Sequence, residues 1–355
     1  MRNILILTTG GTIASIQSPD GLVPGMSSSQ LREQLPQISA DIAIDIEELF
    51  HIDSTDMTAD HWIQIIHAIR DHYDAYDGFV ICHGTDTMAY TAAVLSYMIQ
   101  NSDKPIVLTG AQKPIGFEIT DAKSNLQDSI IYAADSRSRG IQIVFAGKVI
   151  AGTHARKVRS MSFLAFESIN LPEIAEINNG RITRYLTDPA FAKAPCDDAP
   201  DTRLAKTRSN VRFYDKINPN VFLLKLTPSI APDLIPEIFR IYDALVIESF
   251  GAGGIPASIE KTLLEELSKY RPEEKILAMT TQVTYEGSHL ETYEVGRRIA
   301  DSFPVLEARD MTLEATMAKL MWILARNEKD RPALSWADIQ KLFYDPVSMD
   351  TLAAL

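Results

Sequence analysis

The sequence predicts an α/β protein of two α/β domains, a larger N-terminal mostly parallel, doubly wound sheet and a smaller C-terminal α/β domain. Three observations carry this. Short apolar runs alternate with helical patterns through residues 1–187 and again through 211–355, the order that builds parallel sheets through crossover helices. Most of the runs are apolar, as strands covered on both faces require. At 355 residues the chain exceeds what one small core organises. Between the two halves periodicity dissolves over 188–210, where Pro189, Pro195 and Pro200 surround Cys196-Asp197-Asp198. The expected division is a catalytic domain over 1–187, a linker over 188–210 and a second domain over 211–355.

Ile4-Leu5-Ile6-Leu7 is the first strand, and it runs straight into Thr8-Thr9-Gly10-Gly11-Thr12. A Gly/Pro/Ser-rich stretch, Leu22 to Ser29, predicts a mobile surface loop leading into a short helix. Ile42-Ala43-Ile44-Asp45-Ile46 alternates as a strand. Thr58 is the N-cap of a helix whose Trp62, Ile65, Ile66 and Ile69 fall at i, i+3, i+4, i+7. Phe79-Val80-Ile81-Cys82 ends at His83-Gly84-Thr85-Asp86, a helix runs on to about Gln100, and Pro105-Ile106-Val107-Leu108 ends at Thr109-Gly110-Ala111-Gln112. Helix 121–135 and strand Ile141 to Ala146 follow, and Gly147-Lys148 reads as a two-residue hairpin turn into Val149-Ile150. Strands at 221–224, 244–247 and 275–279 alternate with helices near 232–241 and 258–270, and helices near 311–326 and 335–344 close the chain.

Charge narrows the function. With 47 Asp+Glu against 34 Lys+Arg the formal net charge is -13, a field that repels phosphate backbones and anionic bilayers. No nucleic acid and no membrane partner is therefore expected. No apolar run approaches the ~18 residues of a bilayer span, and residues 1–7 are too short for a secretory leader; the expected location is cytoplasmic. The two cysteines, Cys82 and Cys196, form neither a disulfide framework nor a zinc signature, and Cys82 reads as a small core residue. His61, His67 and His72 miss the i, i+4 spacing, so no metal is expected. Gly251-Ala252-Gly253-Gly254-Ile255-Pro256 lacks the third glycine of a dinucleotide loop, and Gly147-Lys148 is followed by Val149 rather than Ser or Thr. No cofactor is expected.

What remains is a set of hydroxyls and one carboxylate at strand ends: Thr9 and Thr12, Thr85 and Asp86, then Thr109. Parallel strands bring such ends to one edge of the sheet, where open α/β folds bind ligands. Threonines with an aspartate but no suitable cysteine or histidine point to hydroxyl-nucleophile chemistry, which needs a base within reach. Lys157, in Gly152-Thr153-His154-Ala155-Arg156-Lys157, is the candidate base if a carboxylate takes up its proton or burial holds it neutral; composition alone favours an ordinary surface lysine. His83 reads as a residue that packs or orients its turn.

Thr9-Gly10-Gly11-Thr12-Ile13-Ala14 together with His83-Gly84-Thr85-Asp86-Thr87 resembles the paired signatures of the bacterial-type L-asparaginases, in particular their cytosolic type I branch. Ile52-Asp53-Ser54-Thr55-Asp56-Met57, Thr109-Gly110-Ala111-Gln112, Lys157 and Ser249-Phe250-Gly251-Ala252-Gly253 fall in order, so the resemblance covers nearly the whole chain. It implies hydrolysis of L-asparagine to L-aspartate and ammonia without cofactor, glutamine being the poorer substrate because its extra methylene displaces the amide carbon. It implies Thr12 as nucleophile through an acyl-enzyme, with Thr85, Asp86 and Lys157 as a second triad. Gly11, Asp53, Ser54, Thr55, Gly84, Thr85, Asp86 and Ala111 match substrate-binding positions. The resemblance implies that Asp53, Ser54 and Asp86 hold the α-carboxylate and α-amino groups, and that the backbone around Thr85 and Ala111 faces the amide. A homodimer or homotetramer is implied as well.

One position departs from the family. Many members carry a tyrosine on the loop after the first signature, where Leu22 stands here. Tyr293, in Glu291-Thr292-Tyr293-Glu294, resembles a segment that supplies a tyrosine in some relatives; the alternative is that it packs or caps its helix. Two other readings stand beside the amidohydrolase. The amidase subunit of a tRNA-dependent amidotransferase shares the core, but usually carries an added N-terminal domain, whereas this chain opens on its first strand, and the acidic charge disfavours tRNA. A non-catalytic amino-acid sensor would explain Leu22 but not Thr12, Thr85, Asp86 and Lys157 together.

Overall fold

A computed structural model describes residues 1–18, 21–24, 28–35, 38–186, 210–292, 294–326 and 333–352. The chain forms two units, Met1–Asp215 and Lys216–Leu355. The expected linker, 188–210, lies outside the described residues except for Asn210.

In the first unit the strands are β1 (Arg2–Gly10), β2 (Ser15–Ser18), β3 (Gly21–Pro24), β4 (Ile42–Ile52), β5 (Gly78–Cys82), β6 (Ile99–Gln100) and β7 (Pro105–Thr109). They continue with β8 (Gly140–Phe145), β9 (Lys148–Ala151), β10 (Ala155–Lys157), β11 (Phe166–Ser168), β12 (Ala175–Asn178), β13 (Arg181–Arg184) and β14 (Arg212–Phe213). The helices are α1 (Ser28–Glu33), α2 (Ala59–His72), α3 (Met88–Met98) and α4 (Ala122–Ala134). Eight strands form one sheet in the order β13-β12-β9-β8-β7-β5-β1-β4. Neighbours from β4 to β8 are parallel, and those from β8 to β13 are antiparallel. Ile4, Ile6, Phe79, Val80, Ile81, Ile106, Val107 and Leu108 have no exposed surface, so these short central strands are covered on both faces.

Local chemistry places the helices. The Thr58 amide donates to His61 Nδ1 at 3.1 Å, closing the first turn of α2, and Trp62, Ile65, Ile66 and Ile69 are its buried face as the spacing predicts. Two features differ from expectation. The β8–β9 hairpin turns at Ala146-Gly147, one residue earlier than predicted, because both residues take positive φ, 51° and 76°, as a two-residue turn of the right twist demands. Lys148 therefore belongs to β9, where it pairs with Glu173 at 2.7 Å. Part of the predicted Gly/Pro/Ser-rich loop is β3, paired antiparallel with β2.

In the second unit β15 (Val221–Lys225), β16 (Ala244–Ser249), β17 (Ile276–Thr281) and β18 (Val305–Glu307) form a four-stranded parallel sheet in that order. α5 (Leu234–Ile241), α6 (Ala257–Leu267), α7 (Glu294–Ser302), α8 (Leu313–Leu324) and α9 (Trp336–Tyr344) complete it. Leu245, Ile247, Leu277 and Met279 of the sheet pack with Ile238 and Phe239 of α5 and Ile259 and Leu263 of α6.

Lys319 is fully buried on α8, and its ammonium donates to Asp350 Oδ2 at 2.6 Å and to the Asp345 carbonyl at 3.0 Å. Burial lowers its pKa, and Asp350, also fully buried, holds the charge in place while accepting from the Val347 amide. Lys319→Met leaves a buried carboxylate without its cation and is expected to destabilise the fold by about 3–5 kcal/mol. Urea unfolding measures it: the midpoint should fall with an unchanged slope.

Candidate active site

The carboxyl ends of β1, β5 and β7 meet through contacts that only glycine permits. Gly10 ends β1 and Gly11 follows it, with φ of 98° and 74°, a region that side chains rarely enter. A Cβ on Gly11 would stand 2.4 Å from the Gly84 nitrogen, and one on Gly84 would stand 2.5 Å from Ser54 Oγ. The Gly11 amide donates to the Ile52 carbonyl at 3.1 Å. So the first signature, the second signature and the Asp53-Ser54-Thr55 segment come into direct contact at their turns.

The threonines of the first turn separate by what their hydroxyls do. Thr9 is buried and donates to the Cys82 carbonyl at 3.0 Å. Thr12 starts a short 3-10 turn, Thr12–Ala14, and is half-buried; among the described residues its hydroxyl has no hydrogen-bond partner. Thr109, which its strand-end position predicts to join the cluster, instead donates inward to the Val144 carbonyl at 2.9 Å.

Beside this turn, Asp53 caps the 3-10 turn Ser54–Asp56, its Oδ1 accepting from the Thr55 amide and hydroxyl, both at 2.9 Å. Ser54 is buried, and its carbonyl accepts from Thr87 Oγ1 at 2.7 Å. His83 is wholly buried, and its Nδ1 lies 2.7 Å from the Gly84 carbonyl. A carbonyl only accepts, so Nδ1 carries the proton and Nε2 accepts from Thr91 Oγ1 at 2.9 Å. Thr91 in turn accepts from Trp62 Nε1 at 3.0 Å. Burial lowers the His83 pKa from the ordinary 6.5 to about 4, so the neutral ring orients the second turn.

Lys157, at the end of β10, reaches this edge. Its ammonium donates to Thr85 Oγ1 at 2.8 Å and to Asp86 Oδ1 at 2.6 Å. Lys157 and Thr85 are largely shielded, while the Asp86 side chain is 57% exposed. Thr85 is thus left with its own proton free to point elsewhere, and Asp86 presents its second oxygen to solvent. Lys157 is not the ordinary surface lysine that its residue type allows.

The third turn is bracketed from α4. Asp121 accepts from the amides of Gln112 and Lys113, and Asn125 Nδ2 donates to the Gly110 carbonyl. Neither residue stood out in the sequence. The signal available was a polar pair at i, i+4 on a face otherwise carrying Ala122, Leu126 and Ile130, all buried. Leu22 lies in β3, and Tyr293 lies outside the described residues. Cys82 is a buried core thiol whose pKa burial pushes up to about 12. Among the described residues no group of three or more His, Cys, Asp or Glu is placed to hold a metal ion, and no helix is long and apolar enough to cross a membrane.

Two family profiles match in series: "Asparaginase, N-terminal" over residues 3–190 and "Glutaminase/Asparaginase C-terminal domain" over residues 220–343. The chain belongs to the asparaginase family. The L-asparaginase of Thermococcus kodakarensis is 37% identical over 324 residues, 90% of this chain and 92% of that protein. Its solved structure superposes with a TM-score of 0.83 at 33% identity, covering 98% of both chains. L-asparaginase 1 of Escherichia coli K12 is 32% identical over 345 residues, 94% of this chain and 96% of that one. The family also holds other activities. A component of the glutamyl-tRNA(Gln) amidotransferase of Pyrococcus horikoshii is 33% identical over 341 residues, 92% of this chain and 73% of that component. The asparaginase fold, with its large mostly parallel N-terminal sheet and small parallel C-terminal sheet, is what the alternation of strands and helices predicts.

Proposed function

We propose that this asparaginase-family chain hydrolyses L-asparagine to L-aspartate and ammonia through an acyl-enzyme on Thr12. The observation that carries the reading is Lys157, held between Thr85 Oγ1 and Asp86 Oδ1 beside the glycine contact that joins the two signature turns. Thr12 Oγ attacks the side-chain amide carbon, and its proton passes to the Thr85–Lys157–Asp86 cluster. Collapse of the tetrahedral intermediate breaks the C–N bond, and the cluster returns the proton to the departing nitrogen, which leaves as ammonia. Water then attacks the aspartyl ester and restores the Thr12 hydroxyl. Splitting the reaction in this way lowers each barrier, and N–H donors of the turns face the oxygen on which charge develops.

Substrate recognition follows from charge. Asp86, with an oxygen open to solvent, suits the α-ammonium, and Ser54 with the N–H groups of its turn suits the α-carboxylate. Asp53 and Thr55 act there by holding that turn, Gly11 and Gly84 by their close approach, and Ala111 by its backbone. Tyr293 is the proposed source of the hydroxyl that Leu22 withholds. A homodimer or homotetramer belongs to the same proposal. Ile119, Met161 and Leu164 in the first unit and Val283 and Tyr285 in the second are exposed apolar side chains of the kind that association would cover.

The test is ammonia release from L-asparagine by the purified chain. Steady turnover with aspartate and ammonia in equal amounts is expected. Stabilisation of the fold by asparagine with no ammonia released would instead identify a sensor.

A further inference from the structure

We propose that Asp121 and Asn125 are positioning residues for the reaction. They hold the turn from Gly110 to Lys113 so that the Ala111 carbonyl stands free to accept an N–H of the substrate's amide. The inference rests on the amidohydrolase reading above and adds two residues to it.

The bracket engages the polar groups on either side of Ala111. Asp121, 5% exposed, accepts from the Gln112 amide at 3.0 Å to each oxygen, from the Lys113 amide at 3.1 Å and from Asn125 Nδ2 at 3.1 Å. Asn125, with no exposed surface, also donates to the Gly110 carbonyl at 3.0 Å, and its Oδ1 accepts from the Ala146 amide at 2.9 Å. These partners fix which way the Asn125 amide faces: acceptors on one side, a donor on the other. The same loop is tied back to the first turn, where the Ile115 amide donates to the Ile13 carbonyl at 3.3 Å.

Ala111 has no exposed surface, yet among the described residues neither its N–H nor its carbonyl has a hydrogen-bond partner. Buried backbone groups are almost always paired, so an unpaired pair at the mouth of a parallel sheet marks where a ligand binds. A carbonyl there can accept only from a donor, and the amide nitrogen is the donor of the scissile group.

Asparagine cannot replace Asp121. The carboxylate accepts through both oxygens from donors on both sides, and an amide would set its own NH2 against one of them. Asp121→Asn should therefore shift the Ala111 carbonyl, and misplacement near 1 Å costs about 10²-fold in rate. The discriminating substrate is the β-methyl ester of L-aspartate, whose leaving group carries no N–H for that carbonyl to accept.

The experiment measures kcat/KM for L-asparagine and for the ester in the wild type, in Asp121→Asn and in Thr120→Val. The half-buried Thr120 donates through its hydroxyl to the Lys113 carbonyl at 2.9 Å and accepts from the Ala122 amide at 3.0 Å, so its loss loosens the turn gently. Asp121→Asn should lower kcat/KM on asparagine by about 10²-fold and on the ester far less. Thr120→Val should skew the ratio in the same direction by a smaller factor, and it carries the test if Asp121→Asn does not fold. Equal losses on both substrates, or no loss on either, overturn the inference. A wild type that hydrolyses neither substrate overturns the activity itself, a failure distinct from an unskewed ratio in an active enzyme.

Discussion

Thr12→Ala is expected to lower kcat for ammonia release at least about 10³-fold, because loss of an attacking hydroxyl removes the step that other groups only assist. Its circular dichroism and unfolding midpoint should be those of the wild type, since the Thr12 hydroxyl has no hydrogen-bond partner among the described residues. Thr9→Val is the contrasting variant. It removes the hydrogen bond to the Cys82 carbonyl, worth about 0.5–1.5 kcal/mol of stability, and should leave most of the turnover. A ranking in which Thr9→Val is the inactive variant would reverse the assignment.

Lys157→Met is expected to lower kcat by about 10²–10⁴-fold, the range for losing a positioned acid–base group. The fold should survive, because Asp86 is 57% exposed and water solvates the charge that the lysine leaves behind. Lys157→Arg separates two roles. A guanidinium keeps the positive charge but does not give up its proton, so a proton relay predicts that arginine fails to restore kcat. Recovery of most of the activity in Lys157→Arg would reduce Lys157 to an electrostatic anchor for Thr85 and Asp86.

Local patterns made most of the scaffold legible. Ile4 to Leu7, Phe79 to Cys82 and Pro105 to Leu108 read as buried strands because nothing polar interrupts them, and all are buried. Trp62, Ile65, Ile66 and Ile69 carry one face of α2 through their spacing alone. What escaped depends on partners distant in sequence. β10 and β11 are three residues each and pair across a loop, and β12 and β13 mix polar and apolar residues at the sheet edge, so neither pair has a period long enough to see. The hairpin turn was displaced because Ala146 adopts a positive φ that residue type does not announce.

The site divides in the same way. Thr12, Thr85 and Asp86 follow strands and carry recognisable turns, so their residue types and positions both speak. Lys157 does not, because a lysine in a polar stretch becomes a partner of Thr85 and Asp86 only when the fold closes sequence separations of 72 and 71 residues. Asp121 and Asn125 were silent for a related reason. Their partners are mostly backbone amides and carbonyls, which every residue possesses and no sequence pattern marks.

The central claim is covalent attack by Thr12, and rapid acid quench of the wild-type enzyme during turnover of L-asparagine tests it most directly. Peptide mass analysis should find an aspartyl ester on the peptide containing Thr12, with ammonia released in a burst ahead of aspartate. An ester on the peptide containing Thr85, or ammonia and aspartate formed together with no adduct, would contradict it.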